Sequence, residues 1–298
     1  MKIRSKTRSL VNGRELPSGM NRRSMLALSF AAAISPCSLL FDYDAAEAET
    51  SHGSTEGQGL AVPRELVRRI KAITNVFEVG SPEADYSYIE DLGDGRGYTA
   101  TQYGLCSNEP ELARVIELHA RSTPETQLMR YLPSLPPRGS GTDMKKLSGF
   151  VDAWQREARG RPSLAQACET VADDLYFTPA MSAAHDMQVA SPVGQSIFYD
   201  TILQHGGGND PDSFWSILDR AQDISDHPGP FSESRFLEAF LDVRRSVLMN
   251  PANVATTDVW RASVARVDAL ANLLKRNPAL LLPILVESTD VRIALTWA

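Results

Sequence analysis

The sequence predicts a mainly α-helical protein of the α+β kind with one small β region. Two observations carry this. Apolar residues recur at helical spacing in nine stretches that occupy most of the chain beyond residue 60. Residues 86–105 instead alternate aromatic and β-branched residues with glycines, the pattern of short strands joined by tight turns. A chain of 298 residues with no internal repeat suits one large domain or two lobes.

Taken in order, residues 1–48 read as an export signal outside the fold. Lys2, Arg4, Lys6, Arg8 and Arg14 make a basic start, and Arg22-Arg23 directly precede an apolar run from Met25 to Ile34 that is too short to span a bilayer. The small residues of AEAET, 46–50, place cleavage after Ala48, and the paired arginines favour a twin-arginine route. Cys37 in ISPC lacks the small-residue approach of a lipoprotein signal. The mature protein is thus expected in the periplasm or outside the cell, with no membrane anchor. Residues 49–60, ETSHGSTEGQGL, are expected to be a flexible segment, and the folded domain to fill 61–298.

The first helix is PRELVRRIKAITNVFE, with Leu66, Ile70, Ile73 and Phe77 on one face. Pro63 suits its first turn, and Gly80-Ser81-Pro82 ends it. Beyond the β region, helices are expected at 110–122, 145–158, 163–177, 180–190, 194–206, 212–224, 233–249 and 258–276. PSLPPRGSGTD, 133–143, is a surface loop or lobe connector.

Charge narrows the function. Residues 1–48 hold seven Lys/Arg and four Asp/Glu, a net +3, so their removal takes the formal charge from −7 to −10 over 250 residues. Such a chain is a poor nucleic-acid binder and a good host for a polycation. Cys106 and Cys168, the cysteines left after cleavage, either pair or stay as buried thiols, and neither has metal-type spacing.

The acidity concentrates in one place. Val76 to Cys106 holds Glu78, Glu83, Asp85, Glu90, Asp91 and Asp94 against Arg96 alone, threaded with aromatic residues that a disordered tail would lack. Glycosidic cleavage needs two carboxyl groups in opposite protonation states. Glu78 follows Phe77 at a helix C-terminus, where burial and the negative end of the helix both favour a retained proton, as a general acid requires. Asp94 in GDGRG lies between glycines, open to water and near Arg96, as a general base should, and Thr99 is placed to hold a water. The blander readings are a turn-forming Asp and a surface Glu. A calcium loop fails, because Leu92 and Thr101 would fall where ligands are required.

YSYIEDLGDGRGYTATQYGLCS, Tyr86 to Ser107, resembles the signature of chitosanases of glycoside hydrolase family 46. The likeness continues through YLPSL (131–135), FYDTILQHGGGNDPDSF (198–214) and FLEAFLDVRRSVL (236–248). The resemblance implies a two-lobed lysozyme-like fold with the small sheet beside an active-site cleft. It implies Glu78 as acid, Asp94 as water-activating base with inversion, and Thr99 as the water-positioning residue. It places Tyr88, Arg96 and His205 at substrate-binding positions, with Glu90 tuning the pair and Glu111 gripping a glucosamine amine where the family usually has Asp. It also implies a buried ion-pair network of Asp200, Arg244 and Arg261 behind the acid, with Arg266 close by as a rival for the last place. Read without the family, those three are helix-face ion pairs. Val79-Gly80 departs from the short polar residue common after the acid.

The implied partner is chitosan or its glucosamine oligosaccharides, the implied cofactor none and the default state a monomer. A lysozyme-like hydrolase of peptidoglycan is the second enzyme reading, and a non-catalytic polycation binder the third. HGGG at 205–208 mimics an esterase motif, but no G-x-S-x-G accompanies it, and the five histidines are too scattered for a metal hydrolase.

Overall fold

Helix α1 (Arg64–Val79) forms where the apolar face predicts it, with Ile70, Ile73, Val76 and Phe77 buried. It stops at Gly80, whose φ of 70° is the left-handed conformation that glycine adopts without a Cβ penalty, and whose N–H closes on the Val76 carbonyl. In this computed structural model the described residues are 62–136, 144–225, 230–254, 257–289 and 291–296, plus a short ladder pairing Leu10–Val11 with Arg14–Glu15. Apart from that ladder, the expected export signal and the flexible segment lie outside the described residues.

After α1 come three short antiparallel strands: β1 (Ile89–Asp91), β2 (Tyr98–Ala100) and β3 (Leu105–Cys106). The register pairs Ile89 with Ala100 and Ala100 with Leu105, which puts an apolar row on the inner face. The alternate row is Glu90, Thr99 and Cys106. Helix α2 (Pro110–Ser122) follows, then a 3-10 helix (Gln127–Ser134), α3 (Phe150–Gly160) and α4 (Pro162–Ala172). These pack on one another and, through α2 and α3, on the sheet.

A π-helical turn (Asp173–Phe177) carries α4 into α5 (Thr178–Asp186) and so into a second group of helices. Its centre is α6 (Pro192–His205), in which every residue from Val193 to His205 except Gln195 is buried. Its buried surface includes Ser196, Asp200, Thr201, Gln204 and His205 as well as its apolar residues, so this central helix carries polar groups inside the protein. Close approach at its start requires Gly194, because a Cβ there would lie 2.4 Å from Val189 Cγ1. Around α6 stand α1, α5, α7 (Phe214–Ser225) and α10 (Val264–Arg276), with α8 (Glu233–Met249) behind α7 and α9 (Thr257–Ala262) against α8.

The expected helix 258–276 is therefore two, α9 and α10, broken at Ser263. The 3-10 helix and a C-terminal hairpin of β4 (Ile284–Glu287) and β5 (Arg292–Leu295) were not foreseen. Cys106 and Cys168 are buried free thiols. Among the described residues no helix is long and apolar enough to cross a membrane.

Candidate active site

Glu78 sits in the last turn of α1, 5% exposed. Burial pushes its carboxyl above the ordinary range, and the Arg266 guanidinium, in direct contact, opposes this without reversing it. Arg266 comes from α10 and also clasps Asp200 on α6, with Nε 2.8 Å from Oδ2 and Nη2 2.8 Å from Oδ1. Arg244 of α8 donates from Nη2 to the same Oδ2 at 2.8 Å, and Thr74 of α1 donates to Oδ1 at 3.0 Å. Asp200, wholly buried, is held below the ordinary carboxylate range, because the two arginines outweigh the burial that would raise it. Four helices thus meet in one charged cluster with the candidate acid at its end.

The network corrects one expectation and relocates another. Arg266, not Arg261, completes it: Arg261 is exposed on α9 and its Nε donates to the Met249 carbonyl at the end of α8. His205, expected among the sugar contacts, has no exposed surface. It lies in the last turn of an all-round buried helix, where Nδ1–H donates to the Asp212 carbonyl at 2.8 Å and Nε2 accepts from Arg244 at 3.3 Å. Burial and the adjacent Arg244 push its pKa well down, so it is a neutral partner of the network.

Asp94 occupies the β1–β2 turn, where Gly93, Gly95 and Gly97 all have positive φ. Its Oδ1 accepts from the Arg96 amide at 3.0 Å and its Oδ2 from Arg96 Nε at 2.9 Å, so the turn folds the cation onto the carboxylate. Asn108 fastens the turn by donating to the Gly95 carbonyl at 2.5 Å. Thr99 is buried in β2, its hydroxyl 3.7 Å from Cys106 Sγ. Two residues on, Thr101 holds a φ of 60°, rare for a β-branched residue, and its amide is bonded to the Tyr88 carbonyl.

Tyr88 donates to Glu90 at 3.2 Å on the exposed side of β1, with burial and that carboxylate both raising its pKa. Glu111 starts α2 and accepts the Cys106 amide at 3.2 Å; burial pushes its carboxyl up to about 7. Sequence reasoning passed over Tyr176 on the π turn. Its hydroxyl donates to the Tyr103 carbonyl at 3.3 Å, just beyond β2, and is pushed up first by burial and then by the Glu111 carboxyl. Single π turns inside helices often mark functional sites, but nothing in DDLYF distinguishes one from an ordinary helical turn.

A buried carboxyl with its proton favoured and a turn carboxylate clasped by an arginine, on a helical frame with a small sheet, make a candidate acid and base of the kind that a two-carboxylate glycoside hydrolase needs. The particular kind follows from comparison. The chain belongs to glycosyl hydrolase family 46, whose sequence profile matches residues 72–284. It is 38% identical over 214 residues to a Bacillus subtilis chitosanase, covering 70% of this chain and 77% of that one. A Streptomyces chitosanase is 35% identical over 201 residues, 66% of this chain and 71% of the other. Among solved structures, a native Bacillus subtilis chitosanase superposes with a TM-score of 0.71 at 36% identity, covering 79% of this chain and all of that one (100%). A Gynuella sunshinyii chitosanase in complex with chitotetraose gives a TM-score of 0.71 at 31% identity, covering 80% and 100% of the two chains. The fold is the mainly helical, lysozyme-like one expected from the sequence.

Proposed function

We propose that this glycosidase is an exported, endo-acting chitosanase that cleaves β-1,4 bonds between glucosamine units by single displacement with inversion. Glu78 protonates the leaving oxygen, Asp94 takes a proton from the attacking water, and Thr99 holds that water. The observation that carries the reading is the burial of Glu78 at the end of the Arg266–Asp200–Arg244 cluster, which favours a proton-bearing carboxyl where an acid is needed. Tyr88 and Arg96 contact sugar, Glu90 tunes the pair, and Glu111 grips an amine, since a protonated amine nearby would draw its carboxyl back to the charged form. Export rests on the basic, paired-arginine N-terminus and its apolar run.

The test is reducing-end release from highly deacetylated chitosan, with chitin and peptidoglycan in parallel, and NMR of the first-formed anomer. Release from chitosan with an α-anomer supports the reading, and Glu78→Gln and Asp94→Asn should each lower kcat by about 10²–10⁴-fold. Unchanged hydrolysis by Glu78→Gln, a β-anomer, or turnover of peptidoglycan alone would overturn it.

A further inference from the structure

Glu169, on α4, has no part in the reading above, yet it binds both elements that carry the candidate pair. Its Oε1 accepts from the Tyr86 hydroxyl at 2.6 Å and from the Tyr103 hydroxyl. Its Oε2 lies 2.5 Å from Lys71 Nζ. Lys71 is on α1, two turns before Glu78, or about 10 Å along the axis. Tyr86 enters β1 three residues ahead of the strand, and Tyr103 leaves β2 three residues after it. The two hydroxyls therefore grip both legs of the hairpin whose turn is GDGRG. The Tyr86 backbone is pinned as well, its carbonyl accepting from Trp154 Nε1 at 2.9 Å.

The charge states suit a clamp. Burial works against the Lys71 ammonium, but Glu169 and Asp173 outweigh it and hold its pKa above the ordinary value. Burial and Glu169 keep both tyrosine hydroxyls protonated and donating. A cavity of about 410 Å³ opens beside the clamp, lined by Lys71, Asn75, Glu83, Tyr86, Tyr103 and Glu169. Tyr103 is packed in the core, but Tyr86 is only partly buried and borders this open space, so hydrogen bonds and packing together fix the hairpin entrance.

We infer that Glu169 is a positioning residue, which sets the separation between the acid helix and the hairpin turn that bears the base. Resting on the assignment of Glu78 and Asp94, it deepens that reading: single displacement requires a gap that fits one water, and the clamp holds the gap. The alternative role is stability alone, and kinetics separates the two. Tyr86→Phe and Tyr103→Phe each remove one hydrogen bond to Oε1 with little change of shape, and Glu169→Gln removes the charge that Lys71 pairs with while leaving an oxygen for the tyrosines. Each should lower kcat on chitosan by about 10-fold with KM within about two-fold, because misplaced reacting groups cost rate before they cost binding. Tyr86→Phe combined with Tyr103→Phe should fall by less than the product of the two single effects, since both hydroxyls bind the same oxygen of one clamp. If Glu169→Gln does not fold, the two tyrosine variants carry the test. An active wild type whose folded variants keep kcat and lose only unfolding midpoint overturns this inference alone. A wild type inert on chitosan overturns the functional reading and takes this inference with it.

Discussion

Arg266 touches two carboxylates at once, so its loss should register in both stability and pH dependence. Arg266→Met would leave Asp200, wholly buried, with Arg244 as its remaining arginine, and Glu78 with neither its contact nor its nearest cation. Breaking a buried pair this way costs about 3–5 kcal/mol, to be read from urea unfolding. Arg261→Ala, which loses an exposed hydrogen bond to the Met249 carbonyl, should cost at most about 1 kcal/mol. The pH effect follows from signs. As the proposed acid, Glu78 would have to be protonated to act, so kcat should be retained below its raised pKa and lost as pH rises through it. Arg266 pulls that pKa down, so its removal should move the alkaline limb of kcat to higher pH. A limb that moves to lower pH would sink the acid assignment. The same arginine shows where residue-level reading failed. Arg261 and Arg266 are five residues apart, about 140° around one continuous helix, so only one can face Asp200. Which one depends on the phase after the break at Ser263, and RASVAR contains no proline or glycine to announce it.

At the scale of elements, helices with a buried stripe were legible: α2 and α8 start and end at the residues their periodicity predicts. What escaped had a physical reason. Pro133 inside the 3-10 helix reads as a helix breaker, and it sits in the last turn, one residue before the helix ends. Strand β4 is ILVE, with Leu285 turned outward, so its apolar run hides the alternation that would have marked a strand. The hairpin turn, by contrast, was legible because GDGRG has glycines where φ is positive. Gly95, at φ 85°, can be tested directly. A Cβ there meets nothing within 4 Å, so Gly95→Ala changes backbone preference and not packing. It should lower stability by about 1–2 kcal/mol. Because Asp94 precedes it and Asn108 is bonded to its carbonyl, kcat should fall several-fold as well. A variant with lowered unfolding midpoint and wild-type kcat would show that the turn need not hold that shape for catalysis.

Over the whole molecule, charge is sorted by depth. The buried cluster pairs Arg266 and Arg244 with Asp200 and Glu78, whereas Glu83, Glu90, Asp91 and Glu109 stand exposed around the sheet and the start of α2. The sequence already showed the acidity and its concentration near the candidate pair. It could not show this division, which depends on which helices enclose α6. The division makes a prediction about salt. Exposed carboxylates attract a protonated polyamine through water, where the Debye length shrinks from about 10 Å at 0.1 M to about 3 Å at 1 M. The buried Glu78–Arg266 contact is sheltered from that screening. Raising sodium chloride from 0.05 to 0.5 M should therefore increase KM for chitosan several-fold and leave kcat within about two-fold. A KM that stays flat would mean that the exposed carboxylates do not hold the substrate. A kcat that falls with a steady KM would mean instead that salt reaches the buried cluster, against the burial of Asp200, Arg244 and Arg266.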